Sequence, residues 1–248
     1  EVLNTVVGID MVMCMYNVGD KDIFNLAAEL KEERPNLPFV LLTHFSKEVY
    51  RRLSYQDTSG IDYMFSWHGN TDLIVAIIKL FEDKINADHD ILKVGVQAIL
   101  LVEDSVRYYS TYLPELYKLI LKQSAEFLKE TLNEQQRKGR KRSRPKILLT
   151  SCLDEALEIY NKYKSNLLGV ISDVGFIRHK DDLPEDEQLD AGIELVKLIK
   201  KDDPMMPVLL QSSQESIAEV AKELGVGFLR KWSKTLMIQM GEYIRDEF

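Results

Sequence analysis

In the second half of the chain, three carboxylates, a hydroxyl and a lysine each stand within two residues of the end of a short apolar run. Glu103 and Asp104 follow residues 97–102 (QAILLV), and Asp173 follows 167–172 (LLGVIS). Ser212 and Ser213 come just after 208–210, and Lys231 just after 227–229. Three carboxylates in one cleft repel one another and raise each other's pKa. A hard divalent cation relieves that repulsion. Mg2+ suits oxygen ligands and is commonly held by few protein carboxylates, with water and phosphate oxygens as its other ligands. With charge so balanced, an ionised Asp173 can attack a phosphoryl group in line. Lys231 can pair with a phosphoryl oxygen as a point charge, and the Ser212 hydroxyl can donate to another. The product of that chemistry is an aspartyl phosphate. Singly, each acid reads more simply as a charge on a loop end; their order and their places at strand ends make the case.

These side chains need a scaffold that brings strand ends together. Short apolar runs alternating with amphipathic segments indicate an α/β fold with a parallel sheet buried on both faces. In doubly wound sheets, ligands bind at the carboxyl ends of the strands. Strands are expected at 97–102, 146–150, 167–172, 208–210 and 227–229, alternating with helices over 105–138, 153–164, 191–200, 216–224 and 235–246. Pro114 is expected to interrupt or kink the first of these helices.

The upstream part reads as a second, shorter version. Residues 9–15 (IDMVMCM), 38–43 (PFVLLT) and 60–65 (GIDYMF) read as strands, with helices over 22–33 and 71–85 and Asn70 or Thr71 as a cap. Residues 31–43 (KEERPNLPFVLLT) parallel 200–212 (KKDDPMMPVLLQS), and 60–71 parallel 225–235, aligning Trp67 with Trp232. The expected organisation is therefore an incomplete copy over 1–90, lacking its first two strands, and a complete copy over 96–248. The complete copy has an extended first helix and a basic connector within 105–145. The repeat sets Met15 against Asp173, Thr43 against Ser212, Ser66 against Lys231 and Tyr63 against Phe228. The first copy thus reads as one that keeps the packing, loses the chemistry and serves as an interaction or dimerisation surface. His44 and His68 read as ordinary rim residues. The chain opens without Met and runs at once into a strand, so a piece of a longer chain is expected.

Composition narrows the class. A formal net charge of −8 argues against general nucleic-acid binding. Hydrophobic residues at 45% and charged residues at 29% fit a soluble chain with a buried core. No apolar run reaches the roughly 20 residues that span a bilayer. Cys14 and Cys152 read as reduced, buried thiols of a cytoplasmic protein. No nucleotide-binding loop and no nucleophile triad is visible, so the segment does not read as an enzyme.

The motifs Val102-Glu103-Asp104-Ser105, Ile171-Ser172-Asp173, Pro207 to Ser212 and Phe228 to Lys231 together resemble the receiver domains of response regulators. The resemblance covers about 96–248. It implies a flavodoxin-like sheet of order 2-1-3-4-5, with Asp173 as phosphoacceptor and Glu103 and Asp104 as its acid pocket. It also implies Mg2+ held by Glu103, Asp104, Asp173 and the Gly175 carbonyl, Lys231 as phosphate contact, and Ser212 and Phe228 as the switch pair. A histidine kinase or another phosphodonor and a linked or partner output protein are the implied partners. Two features depart from the family: Trp232 stands where a cis proline usually follows the lysine, and the segment after Asp173 is long and acidic (DDLPEDEQLD). That segment reads as a solvated loop or as a shield over the site. The basic run from Arg137 to Arg144 reads as a connector or as a docking element for an acidic surface. The tandem as a whole resembles the amino-terminal region of bacterial phosphoenolpyruvate synthase and pyruvate phosphate dikinase-like proteins. Two functions follow as expectations. One is a phosphorylated switch in two-component signalling. The other is an unphosphorylated interaction module attached to such an enzyme.

Overall fold

A computed structural model describes residues 8–16, 22–44, 58–129, 144–183 and 186–248. The chain divides into two compact units, one of residues 1–73 with 106–110, the other of 74–105 with 111–248.

The first unit holds β1 (Val12–Met15), α1 (Ile23–Glu33), β2 (Phe39–Thr43) and β3 (Tyr63–Ser66). The three strands are parallel in the order β1-β2-β3. Their register pairs Met15 with Leu42 and Thr43 with Ser66. Ile23, Ala27 and Leu30 recur at helical spacing and bury against Phe39 and Leu41. The Asp22 carboxylate caps α1, accepting from the backbone N–H of Phe24 at 2.9 Å and of Asn25 at 3.4 Å. Gly60 lies in the turn before β3, where a Cβ would come within 2.6 Å of the Ala27 backbone. The turn therefore needs glycine to pass so close to α1. Strand β3 accordingly starts at Tyr63, three residues later than the apolar run beginning at Gly60 indicates.

The helix α2 (Thr71–Ala87) is capped by Asn70, whose side chain accepts from the Asp72 N–H at 3.0 Å. Beyond it come a π-helical turn (Asp88–Lys93) and the second sheet: β4 (Ala98–Val102), β5 (Lys146–Thr150), β6 (Leu167–Asp173), β7 (Val208–Ser212) and β8 (Gly227–Arg230). The order is β5-β4-β6-β7-β8 and every pair is parallel. Counted within this sheet, that is 2-1-3-4-5. The helices α3 (Val106–Lys129), α4 (Leu153–Tyr163), α5 (Ala191–Asp202), α6 (Ile217–Glu223) and α7 (Leu236–Glu247) alternate with these strands. β4, β5 and β7 are buried along their whole length, as a sheet with both faces covered requires.

One expectation changes. The helix over Pro114 is unbroken from Val106 to Lys129. An internal proline costs about 3 kcal/mol. Burial of Tyr112, Leu113, Leu116, Tyr117 and Ile120 around it offsets that cost. The helix α2 belongs almost wholly to the second compact unit, which begins at Ile74. Asp83 of α2 is fully buried in the second unit. It accepts from Tyr117 Oη at 2.9 Å, from Arg144 Nη2 at 2.6 Å and from the Ile147 N–H at 3.0 Å, with Lys146 Nζ 3.4 Å away. Lys146 also pairs with Asp90 at 2.6 Å. Charges so buried must be matched nearly one for one, and here they are. Of the basic run, only Arg144 lies among the described residues, and it belongs to this cluster.

Candidate phosphoacceptor site

Each strand of the second sheet ends at or within two residues of the end of its apolar run, and the polar residues there gather at one rim. Glu103 is placed by its backbone N–H donating to the Thr150 carbonyl at 3.0 Å, which extends the β4–β5 ladder by one step. Its Oε1 accepts from the Ser105 N–H at 3.1 Å. Asp173 is the last residue of β6, opposite Gln211, and its Oδ1 accepts from the Val174 N–H at 2.7 Å. Lys231 is held by its N–H donating to the Ser212 carbonyl at 3.0 Å, with Trp232 beyond it, 60% exposed.

The side chains then meet. Lys231 Nζ lies 3.0 Å from Glu103 Oε1 and 2.8 Å from Glu103 Oε2, and it also donates to Asp173 Oδ2. Lys231 and Glu103 are both buried. Carboxylate oxygens of Glu103, Asp104 and Asp173 all lie within 4.8 Å of one another. Burial, and then the nearby Asp173 charge, raise the Glu103 carboxyl to about 8. Asp104 is raised to about 7 by burial, then Asp173, then Glu187. Burial pushes the Lys231 ammonium down, but Glu103 and Asp173 outweigh it and the net direction is up. The two directions agree on one picture: a single ammonium faces more negative charge than it can balance.

That donor set fits Mg2+. It is all oxygen, it carries excess negative charge, and the buried Glu103 Oε2 accepts no well-directed hydrogen bond, although Lys231 stands beside it as an ion-pair partner. The Ser212 hydroxyl is buried at the end of β7 and accepts from the Gln214 N–H at 3.1 Å. Phe228 lies half-buried on β8, packed against the main core.

Sequence reasoning missed two neighbours of the site. Gly192 is in the first turn of α5, and a Cβ there would lie 2.1 Å from the Asp173 carbonyl oxygen. Its N–H donates to the Val174 carbonyl at 2.9 Å. A glycine just inside a helix start is the available sequence signal for such a close approach. Glu187 comes from the acidic segment, whose described part is tied down on both sides. Phe176 and Gln188 exchange backbone hydrogen bonds of 3.2 and 3.1 Å, while Leu153 and Asp154 donate to the Ile177 and Arg178 carbonyls, both at 3.1 Å. Arg178 pairs with Glu194 at 2.6 Å and His179 with Asp154 at 2.6 Å. This pairing brings Glu187 against Gly175. No sequence pattern marks it, because the long-range backbone ladder does the placing.

The corresponding rim of the first sheet carries different groups. Met15 ends β1, Thr43 ends β2, and the Trp67 N–H donates to the Thr43 carbonyl at 2.8 Å. Thr43 pairs with Ser66 as Ser212 pairs with Arg230. Strand register therefore sets Trp67, not Ser66, against Lys231, and Met64, not Tyr63, against Phe228. The one-residue slip arises because aligning the two tryptophans ignores the strand pairing that fixes register. Ser66 Oγ instead bonds His68 Nε2 at 2.9 Å, and the Ser66 N–H donates to Ser110 Oγ at 2.9 Å. His44 is exposed.

No protein-family model matches the chain, and no curated protein sequence does. Among solved structures, the chain is similar to a response regulator receiver domain protein from Clostridium thermocellum, at 19% identity and a TM-score of 0.35, covering 61% of this chain and 94% of that one. It is also similar to the bacteriophytochrome response regulator RtBRR, at 17% identity and a TM-score of 0.35, covering 62% of this chain and 80% of that one.

Proposed function

We propose that the second unit is a phosphoacceptor receiver module of two-component signalling that takes a phosphoryl group on Asp173. The observation that carries this reading is Lys231 bonded at once to Asp173 and Glu103, with Asp104 beside them, at the carboxyl rim of a 2-1-3-4-5 parallel sheet. Glu103, Asp104, Asp173 and the Gly175 carbonyl would hold Mg2+, which when bound supplies charge neutralisation for the incoming phosphoryl oxygens.

The chain's own residues do the rest. An Asp173 carboxylate oxygen attacks phosphorus, and the phosphorus–oxygen bond to the leaving group breaks with its electron pair departing on that group. Lys231 turns from Asp173 to a phosphoryl oxygen. The Ser212 hydroxyl, held at the end of β7, donates to a second oxygen, and Phe228 follows it. Two packings of the rim, biased by those contacts, form the switch. The phosphodonor is a histidine kinase or a small acyl phosphate, the setting is cytoplasmic, and the output is a linked or partner protein. The domain assignment that accompanies this is a degenerate copy over 1–90 and an intact one over 96–248.

The repeat reading is supported by a shared local device. Lys31 Nζ donates to the carbonyls of Pro35 at 3.4 Å and Leu37 at 3.0 Å, and Lys200 Nζ to those of Pro204 at 3.0 Å and Met206 at 2.8 Å. In the first copy the acceptor position holds Met15, so it keeps a packing or dimerisation role.

The full chain with Mg2+ and acetyl phosphate is expected to gain one phosphoryl group by intact mass, and Asp173→Asn to gain none. Equal incorporation by both proteins would rule out the assignment. The second reading is an unphosphorylated interaction module attached to a phosphoenolpyruvate synthase-like enzyme. It draws on exposed Trp232 at the rim and on the acidic segment reaching Gly175. Absence of incorporation together with no response of tryptophan fluorescence to Mg2+ would favour it.

A further inference from the structure

Gly175 stands two residues after Asp173, and a Cβ built on it would fall 2.5 Å from Glu187 Oε1. The Glu187 carboxylate therefore occupies the space that a side chain at 175 would fill. Its place is set by the backbone exchange between Phe176 and Gln188, the residue directly after it. Fully ionised, Glu103, Asp104 and Asp173 against Lys231 leave two negative charges, which one divalent cation cancels. Glu187 adds one more, on the exposed side of Gly175, two residues along the chain from Asp173.

We propose that Glu187 is a built-in electrostatic governor of this pocket, tightening its hold on a divalent cation and slowing phosphoryl transfer from anionic donors. The proposal rests on the receiver reading. It turns the acidic segment from a solvated loop into a part of the site, and it gives Gly175 a reason to be glycine. Glu187 is itself exposed, and one charge at such a position changes binding by up to about fivefold.

The test uses the full chain and three variants: Glu187→Gln, Gly175→Ala, and Gly175→Ala combined with Glu187→Ala. Binding is read first, as the half-saturating Mg2+ concentration from tryptophan fluorescence. Glu187→Gln is expected to raise it about fivefold and to raise the rate of phosphoryl gain from acetyl phosphate at saturating Mg2+ by a similar factor. Both differences should shrink in about 1 M salt, as screening requires. Gly175→Ala should displace the carboxylate and act in the same direction, with less effect once Glu187 is already alanine. If the unsubstituted protein is phosphorylated on Asp173 while Glu187→Gln leaves both readouts unchanged, the governor is wrong and the receiver reading stands. If the unsubstituted protein neither binds Mg2+ nor gains a phosphoryl group, both fall.

Discussion

The two parallel sheets have matching strand registers and unlike rims. Met15 lies opposite Leu42 as Asp173 lies opposite Gln211, and Thr43 lies opposite Ser66 as Ser212 lies opposite Arg230. A lysine ties off the carbonyls after the preceding helix in both. At the carboxyl ends, one sheet presents Met15 and Trp67 where the other presents Asp173 and Lys231. Packing and chemistry are thus separable. Burial of Phe39 and Leu41, or of Val208 and Leu210, does not depend on what stands one residue past the strand. The acid pocket is expensive to keep, because burial drives Glu103 and Asp104 toward the neutral form. A rim without those acids carries no such cost.

The comparison breaks most sharply at the acceptor. Lys231→Ala should lower the rate of phosphoryl gain at Asp173 by at least about a hundredfold, read by intact mass against time. Met15→Asp should create no second acceptor, because no lysine stands at its rim position. A second phosphoryl group on Met15→Asp would show that the rims differ less than their residues imply.

Stability separates the units next. Asp83→Asn leaves Arg144 and Lys146 buried without their shared counter-ion and should cost about 3–5 kcal/mol in urea unfolding of the second unit. A cost under about 1 kcal/mol would mean that the cluster is solvated.

The pH response comes third. Glu103 and Asp104 have folded pKa values of about 8 and about 7, above their ordinary carboxyl values of 4.5 and 3.8. The folded state therefore holds protons that the unfolded chain has released. Stability from these groups is present at low pH and declines as pH rises from about 4 to about 8. Mg2+ should restore it most strongly at the upper end. A melting temperature that rises across this window without Mg2+, after Asp173→Asn as a control, would contradict the buried-acid account. The smallest effect belongs to the first unit, where Asp22→Ala should cost about 1 kcal/mol through loss of the α1 cap, read as an earlier urea midpoint.

Much of this was legible in the residues. Glu103, Asp104, Asp173, Ser212 and Lys231 each lie within a residue or so of an apolar run, and strand ends in a parallel α/β sheet share one rim. What stayed hidden depended on pairing at a distance. Pro114 predicts a break, yet the tyrosines and leucines around it bury and carry the helix through. Trp67 and Trp232 look equivalent in sequence, but ladder register shifts them by one. Glu187 looked like one acid among many until backbone pairing with Phe176 set it against Gly175.

The sequence alone determined the alternation of buried strands and amphipathic helices, and with it the parallel sheet and the reactive residue types at its ends. Local periodicity and composition suffice for that, because each element is selected by its own side chains. Only tertiary structure decided which charges meet. Lys231 reaches Glu103 across 128 residues of chain, Asp83 gathers Arg144 and Lys146, and Glu187 lies against Gly175. Electrostatic energy depends on distance in space and on burial, and neither is written in the spacing of residues along the chain.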